Sequence, residues 1–377
     1  MSFFSSLHFW GGSALGSVLP FLFVLTVVVF FHELGHFLVA RRCGVKIDAF
    51  SIGFGPEIIG FYDSKGTRWR IAAIPLGGYV RFHGDDSAAS TPDHAALARM
   101  DVAERETSFY HKPVAQRAAV VAAGPIANFV LAIAIFAGIF AVFGKPASPA
   151  RVHSIVPDSA AAAAGFREGD LVLSIDGRKI ETFSDMQRIV TVSPGKSLVF
   201  VVERNGGEVT LTAVPALEEH KDRFGNVYRL GRLGITGVLE APKPVSLPQA
   251  VMLGASESWF VVDRTLSYIG GVIVGRESAD QLGGPLRIAQ VSGQVASIGF
   301  PELLNLTAVL SVSIGLLNLF PIPLLDGGHL LFYGIEAVRG RPLSEKAQEF
   351  GFRIGLAIVV MLMIVATWND ILHLVAL

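Results

Sequence analysis

Cysteine occurs once in this 377-residue chain, at Cys43. One thiol cannot close an intramolecular disulfide, nor can it build a cysteine-based zinc site. Charge is scarce as well. Only 17% of residues are Asp, Glu, Lys or Arg, and they nearly cancel, to a net charge of -1. That balance offers no basic field for a polyanion, so no nucleic-acid partner is expected. Residues 1–17 contain no Lys or Arg, which leaves a cleavable signal peptide without its positive leading region. Cleavage after the apolar run that follows would also discard two histidines, so we expect the run to be retained.

Apolar sequence fills the space that charge leaves. Hydrophobic residues make up 51% of the chain and the mean hydropathy is +0.52, values that belong to membrane proteins. Four segments have the length and composition to cross a bilayer as helices: 18–40, 118–143, 303–325 and 354–368. The last is short, and reaches residue 374 only if Asn369 and Asp370 are tolerated. Arg41, Arg42 and Lys46 follow the first span, Lys112 and Arg117 precede the second, and Arg339, Arg341, Lys346 and Arg353 lie between the third and fourth. By the positive-inside rule the loops 41–117 and 326–353 are cytoplasmic. Both termini and the long segment 144–302 then lie on the opposite, periplasmic side.

Inside the first span stands His32-Glu33-Leu34-Gly35-His36. Spacing of four residues puts both imidazoles on one helix face, where they can grip one zinc ion with Glu33 beside them as general base. Three ionisable groups are costly within a bilayer and are expected there only for function. Satisfied core histidines of a soluble protein are the plain alternative, and the apolar context argues against it.

Other stretches carry weaker signals. In 45–82, turn residues such as Gly53, Gly55, Pro56, Gly77 and Gly78 alternate with short apolar-aromatic runs, which predicts a β-rich insert resting at the membrane edge beside the histidine helix or, equally on pattern alone, a plain soluble hairpin. Residues 83–107 are polar and alanine-rich, and predict a mobile or partly helical surface segment. The second span opens with Ala123-Gly124-Pro125-Ile126-Ala127-Asn128. Its small residues allow close helix contact, and Asn128 is a candidate to touch the site as a substrate-binding residue, with holding helices together the favoured role. Residues 144–217 predict a strand, a short alanine helix, a strand ending in Asp176-Gly177, a helix near 183–190, and a hairpin turning at Asn205-Gly206. Within 218–302, the stretch 246–300 predicts an amphipathic helix lying on the membrane surface, because Glu257, Asp263 and Arg264 interrupt it. The third span breaks at Pro321 and Pro323, and brings Asn318 and Asp326 near the cytoplasmic side on non-helical backbone.

Two resemblances follow from these motifs. The run Ala161-x-x-Ala164-Gly165-Phe166-x-x-Gly169-Asp170 with Ile175-Asp176-Gly177 resembles PDZ domains of the bacterial protease-associated kind, which implies binding of an extended peptide or chain end. His-Glu-x-x-His together with Asn318-x-x-Pro321-x-Pro323-x-Leu325-Asp326-Gly327 resembles the site-2 protease family of intramembrane zinc proteases, of the bacterial regulator-of-sigma-E type. Gly53-Phe54-Gly55-Pro56, Pro75 to Tyr79, Ala123-Gly124-Pro125 and Gly283-Gly284-Pro285 extend that likeness over nearly the whole chain. It implies a polytopic α-helical membrane protein of the inner (cytoplasmic) membrane, with about four transmembrane helices, a β-rich insert and a soluble α/β PDZ-like domain. Its parts would be a first membrane half (1–143), the PDZ-like domain (144–217), a membrane-surface region (218–302) and a second membrane half (303–377). It implies zinc held by His32, His36 and Asp326, with Glu33 activating water and Asn318 holding the substrate strand against 45–82. The implied substrate is a single-span membrane protein, an anti-sigma factor after a first periplasmic cut or a remnant signal peptide. Relatives from enteric bacteria carry two PDZ domains, and only one is legible here.

Two other residues compete with Asp326 as third ligand. Glu57 follows His36 at an interval that soluble zinc proteases use, but it stands in the turn Gly55-Pro56-Glu57 where a helix would be needed. His329 is chemically able, yet we expect it to point toward the cytoplasmic loop. Two other function classes also compete. A PDZ-bearing scaffold with a structural metal would show a closed shell of four ligands, and a metal or ion transporter would show matching broken helices in two halves. Three ligands with an intact Glu33, and spans that do not match, favour the protease.

Overall fold

The computed structural model describes residues 14–85, 99–221, 227–238, 240–275 and 283–375. They form two compact units. One comprises Met1–Ile139 with Pro248–Asp370, the other Phe140–Leu247 with Ile371–Leu377.

The first unit is built on long apolar helices. Helix α1 (Ala14–Arg42) carries the His-Glu-x-x-His motif and ends on Arg41 and Arg42. Strands β1 (Ile47–Tyr62) and β2 (Arg68–Phe82) follow. The segment expected to be mobile or helical, 83–107, lies largely outside the described residues. Its end forms α2 (Val102–Thr107), opened by a capping box in which the Asp101 side chain accepts from the Glu104 amide. Helix α3 (Val114–Phe143) contains the Ala-Gly-Pro run. Four helical stretches have the length and hydropathy to cross a membrane: Gly16–Arg42, Val114–Phe143, Phe300–Asn318 and Lys346–Leu372. All four fall where the sequence predicts spans, but the third is shorter. Its last seven expected residues, 319–325, are irregular because Pro321 and Pro323 cannot donate to a helix and Leu324 takes a positive φ of 91°.

The insert is a sheet wound from two long bent strands. Phe50 pairs with both Trp69 and Val80, Ser51 with Arg70 and Tyr79, and Ile52 with Ile71 and Gly78. Strand β2 therefore returns past β1 and flanks it on both sides. Phe37 of α1, Phe50, Val80, Phe82 and Phe109 bury the sheet's inner face, with Trp69 stacked on Phe50 at 4.3 Å between ring centres. Burial of this aromatic surface fixes the 78–82 segment against the histidine helix.

Under a common numbering the second unit runs through β3 (Val152–Ile155), α4 (Ala160–Ala163), β4 (Leu171–Ile175), β5 (Arg178–Lys179), α5 (Phe183–Thr191), β6 (Leu198–Arg204), β7 (Gly207–Ala213), β8 (Ala216–Lys221), β9 (Val227–Arg232) and β10 (Ile235–Gly237). One sheet has the order β5-β4-β6-β7, while β10 pairs with β3 and β8 with β9. Asp176-Gly177 and Asn205-Gly206 turn with positive φ at both residues, as tight hairpins need. Phe166, Val172, Ile175, Phe200 and Val202 form the core. Buried Asp170 closes the turn before β4, accepting from the Arg167 amide and, with both oxygens, from Arg204.

Where one amphipathic surface helix was expected, two helices stand: α6 (Leu247–Ile273) and α7 (Pro285–Ile298). They are followed by α8 (Phe300–Asn318), α9 (Asp326–Arg339) and α10 (Glu345–Val375). The Asp370 carboxylate is buried in α10 and accepts from the amides of Gly284, Leu286 and Arg287 at the start of α7. That explains how the last span tolerates an aspartate: three amides at a helix N-terminus replace its water.

Candidate metal centre

Residues 32 and 36 lie one turn apart on α1, and their Nε2 atoms converge to 3.2 Å. Asp326 Oδ2 completes the group, 3.1 Å from His32 Nε2 and 3.6 Å from His36 Nε2. These three side chains are the only described group of at least three His, Cys, Asp or Glu residues able to hold one metal ion. Asp326 reaches it from the first turn of helix α9, not from irregular backbone as expected. The irregular stretch before it supplies the approach: the Leu325 carbonyl accepts from the Gly328 and His329 amides, and Pro323 lies against Gly328 and Gly355. The two glycines after Asp326 let the new helix pack directly on that proline turn.

The donor set fits a divalent cation. Two imidazole nitrogens and one carboxylate are a common catalytic zinc set, and it leaves coordination positions open. Asp326 Oδ2 is buried without a hydrogen-bond donor, an arrangement that a cation would relieve. The cradle is also tight. A side chain at Gly124 of α3 would overlap His36 Nε2 and come within 3.0 Å of His32 Cε1, so only glycine lets α3 pass the imidazoles. His36 Nδ1 meets the Val120 carbonyl at 2.9 Å, and the Asn128 amide lies 3.3 Å from His32 Nδ1. Gly124 and Asn128 are four residues apart, like the histidines, so two matching helix faces meet at the site.

A cavity of about 740 Å³ opens from this point. Glu33, Asn318 and the strand segment Gly78–Val80 line it beside His32, His36 and Asp326. Glu33 faces the Val80 backbone amide, and a side chain at Gly78 would approach Glu33 Cγ to 3.3 Å. Asn318 stands at the last turn of α8 and is half-buried. His329 lines the same cavity and does not point away from it, contrary to expectation, with its ring 5.5 Å from Phe352. Glu57 is elsewhere, paired with Arg68 within the β hairpin. Sequence reasoning missed Gly124 as the cradle and the ion pair Arg117–Glu336 that ties α3 to α9 along the cavity wall. The glycine was legible in principle, since it precedes Asn128 by one helical turn; the ion pair joins residues 219 apart and leaves no local signal.

Comparison with known proteins gives the family. The model of peptidase family M50 matches residues 20–362. A protein of Agrobacterium fabrum whose name describes a zinc metalloprotease is 50% identical over 97% of this chain and 98% of its own. A similarly named protein of Rhizobium meliloti is 52% identical over 93% and 95%. The metalloprotease MmpA of Caulobacter vibrioides is 42% identical over 93% and 94%. Among solved structures, the PDZ domain of an SdrC-like protein from Listeria monocytogenes aligns with 23% of this chain and 85% of its own, at 20% identity and a TM-score of 0.19. The relatives span nearly the full chain; all three names state the reaction, and the first two also state the metal. This chain belongs to peptidase family M50, and is a multi-pass zinc metalloprotease.

Proposed function

We propose that this metalloprotease cleaves peptide bonds within the transmembrane segments of single-span membrane proteins, using His32, His36 and Asp326 as zinc ligands and Glu33 as general base. One observation carries the reading: His32, Glu33 and His36 sit on a helix suited to crossing a membrane, Asp326 converges on the two histidines from α9, and the group opens on a cavity edged by a β-strand. Zinc bound there would polarise the scissile carbonyl and acidify the attacking water. Glu33 takes the proton of that water and later delivers it to the leaving amine. Asn318, which lines the same cavity, is suited to hold the substrate backbone or the developing oxyanion with its amide.

A helical substrate must unwind before attack, since its carbonyls are tied within the helix. The segment 78–82 has β1 on one side, and no other strand pairs with it among the described residues. An unwound substrate strand adding to this edge would satisfy its backbone where water is excluded. Glu33 lies eight residues before Arg41, about 12 Å along the helix, so the cut falls toward the cytoplasmic side of an inner membrane. Both termini and the PDZ-like unit are then periplasmic. Resemblance further suggests an anti-sigma factor already trimmed by a first periplasmic cut, and remnant signal peptides as a second class.

The test is Glu33→Gln, expressed in the native host. It should keep zinc, lose all proteolysis and accumulate small membrane proteins bound to it. Retained cleavage would remove Glu33 from the chemistry, and accumulation of soluble partners alone would overturn the substrate class.

A further inference from the structure

The two metal-facing histidines are oriented by different means. His36 Nδ1 lies 2.9 Å from the Val120 carbonyl. A carbonyl only accepts, so the ring proton sits on Nδ1 and Nε2 keeps its lone pair. His32 Nδ1 instead faces the side-chain amide of Asn128 at 3.3 Å, and an amide offers a donor or an acceptor according to which way it is turned. Asn128 is wholly buried, and its Oδ1 has no hydrogen-bond partner. An orphan acceptor at such depth calls for a reason.

Helix packing does not provide one. The contact that joins Asn128 to α8 uses its backbone: Ser311 Oγ donates to the Asn128 carbonyl at 2.9 Å. Gly315 closes against its Cβ at the distance a methyl group would bring to 3.1 Å. Both contacts hold the residue in place without calling on its amide. His32 supplies the reason. Its Nε2 points at the convergence of His36 Nε2 and Asp326 Oδ2. For Nε2 to give its lone pair to a metal, the ring proton must be on Nδ1 and must find an acceptor. A half-turn of the Asn128 amide about its last side-chain bond brings Oδ1 to that nitrogen, and the two orientations have nearly the same outline.

We propose that Asn128 is a positioning residue for the metal: its side-chain oxygen accepts the Nδ1 proton of His32 and so fixes the tautomer and ring plane in which Nε2 binds zinc. The proposal rests on the ligand set given above. It assigns the side chain to the metal shell, not to the substrate.

Zinc affinity of the full-length protein, stripped of metal and titrated against a chromophoric chelator, tests it. Asn128→Leu keeps the volume and removes the acceptor, while Asn128→Asp keeps the acceptor. Asn128→Leu should weaken zinc binding by about 10- to 100-fold, with unfolding of the metal-stripped protein unchanged. Asn128→Asp should bind at least as tightly as the parent. Parental affinity in Asn128→Leu, or equal losses in both variants, would overturn the proposal. If Asn128→Leu does not fold, Asn128→Ala takes its place in the same comparison. His36→Ala and Asp326→Asn, titrated alongside, separate the two readings: parental affinity there would sink the ligand set itself, whereas loss there with parental affinity in Asn128→Leu would sink only the role of Asn128.

Discussion

An aspartate buried beside two imidazoles is costly unless something positive shares the space. Asp326 Oδ2 has no hydrogen-bond donor, and its nearest polar neighbours are the Nε2 atoms of His32 and His36. Replacing Asp326 by Asn removes the charge and keeps the shape. We expect Asp326→Asn to lose zinc and all cleavage, while His329→Ala and Glu57→Ala retain the metal. Metal analysis of the three purified variants decides it: full zinc in Asp326→Asn, or loss in either of the others alone, would identify a different ligand. Asn318 lines the same cavity. Asn318→Ala should keep zinc, and turnover in a purified assay should fall about 100-fold if the amide steadies the oxyanion. Unchanged turnover would leave it a helix-terminal residue. The histidines and Glu33 were legible because four-residue spacing on one helix is a local geometric fact. Asp326 was not legible from spacing, since it lies far along the chain from them. It followed from the resemblance carried by the run Asn318 to Gly327, and its place at the start of a helix could not be read beneath two prolines.

Between elements, the decisive contact is α3 against α1. Gly124 sits where any side chain would meet His36 Nε2. Gly124→Ala should therefore push the helices apart by a methyl group and weaken zinc binding, with helix content unchanged by circular dichroism. Unaltered affinity would mean that the cradle is looser than its geometry. In the second unit the turn before β4 depends on Asp170. Burial pulls its pKa up, but the bonds from Arg204 and the Arg167 amide outweigh that and hold the carboxyl below the usual range. A depressed value means stability that is present at neutral pH and lost as pH falls below about 4 through the folded-state pKa. Asp170→Asn should thus weaken hydrogen-exchange protection of β4 and β6 at pH 7, and the gap from the parent should shrink at lower pH. A gap that widens on acidification would contradict the sign. Strands of this unit were readable from Asp-Gly and Asn-Gly turns, which dictate their own backbone. The path of β2 around both sides of β1 was not, because register there is set by Phe37, Phe50 and Trp69 packing on a distant helix.

For the whole molecule, the placement of the arginines predicts a topology, and labelling can test it because Cys43 is the one native thiol. With Cys43 replaced by Ser, a cysteine placed at exposed Glu168 should react with an impermeant reagent from the periplasm, and one at exposed Val338 should not. The reverse pattern would invert the molecule. The same architecture allows a sharper test of the PDZ-like unit. Its two ends are already joined: Lys145 and Lys243 exchange both backbone hydrogen bonds, at 2.9 and 3.0 Å. Excising 146–242 and bridging the gap with a short Gly-Ser linker removes the unit whole, strands β3 and β10 together, and asks little of the helices on either side. A cut at 150–214 would instead leave β10 without its partner β3. If the unit screens substrates by the size or chain end of their periplasmic part, the excised protein should bind zinc as the parent does and cleave a trimmed substrate at an unchanged rate. It should also cleave an untrimmed substrate that the parent rejects. A protein that folds, binds zinc and still rejects the untrimmed form would show that selection resides in the membrane unit, where the edge of β2 would have to impose it.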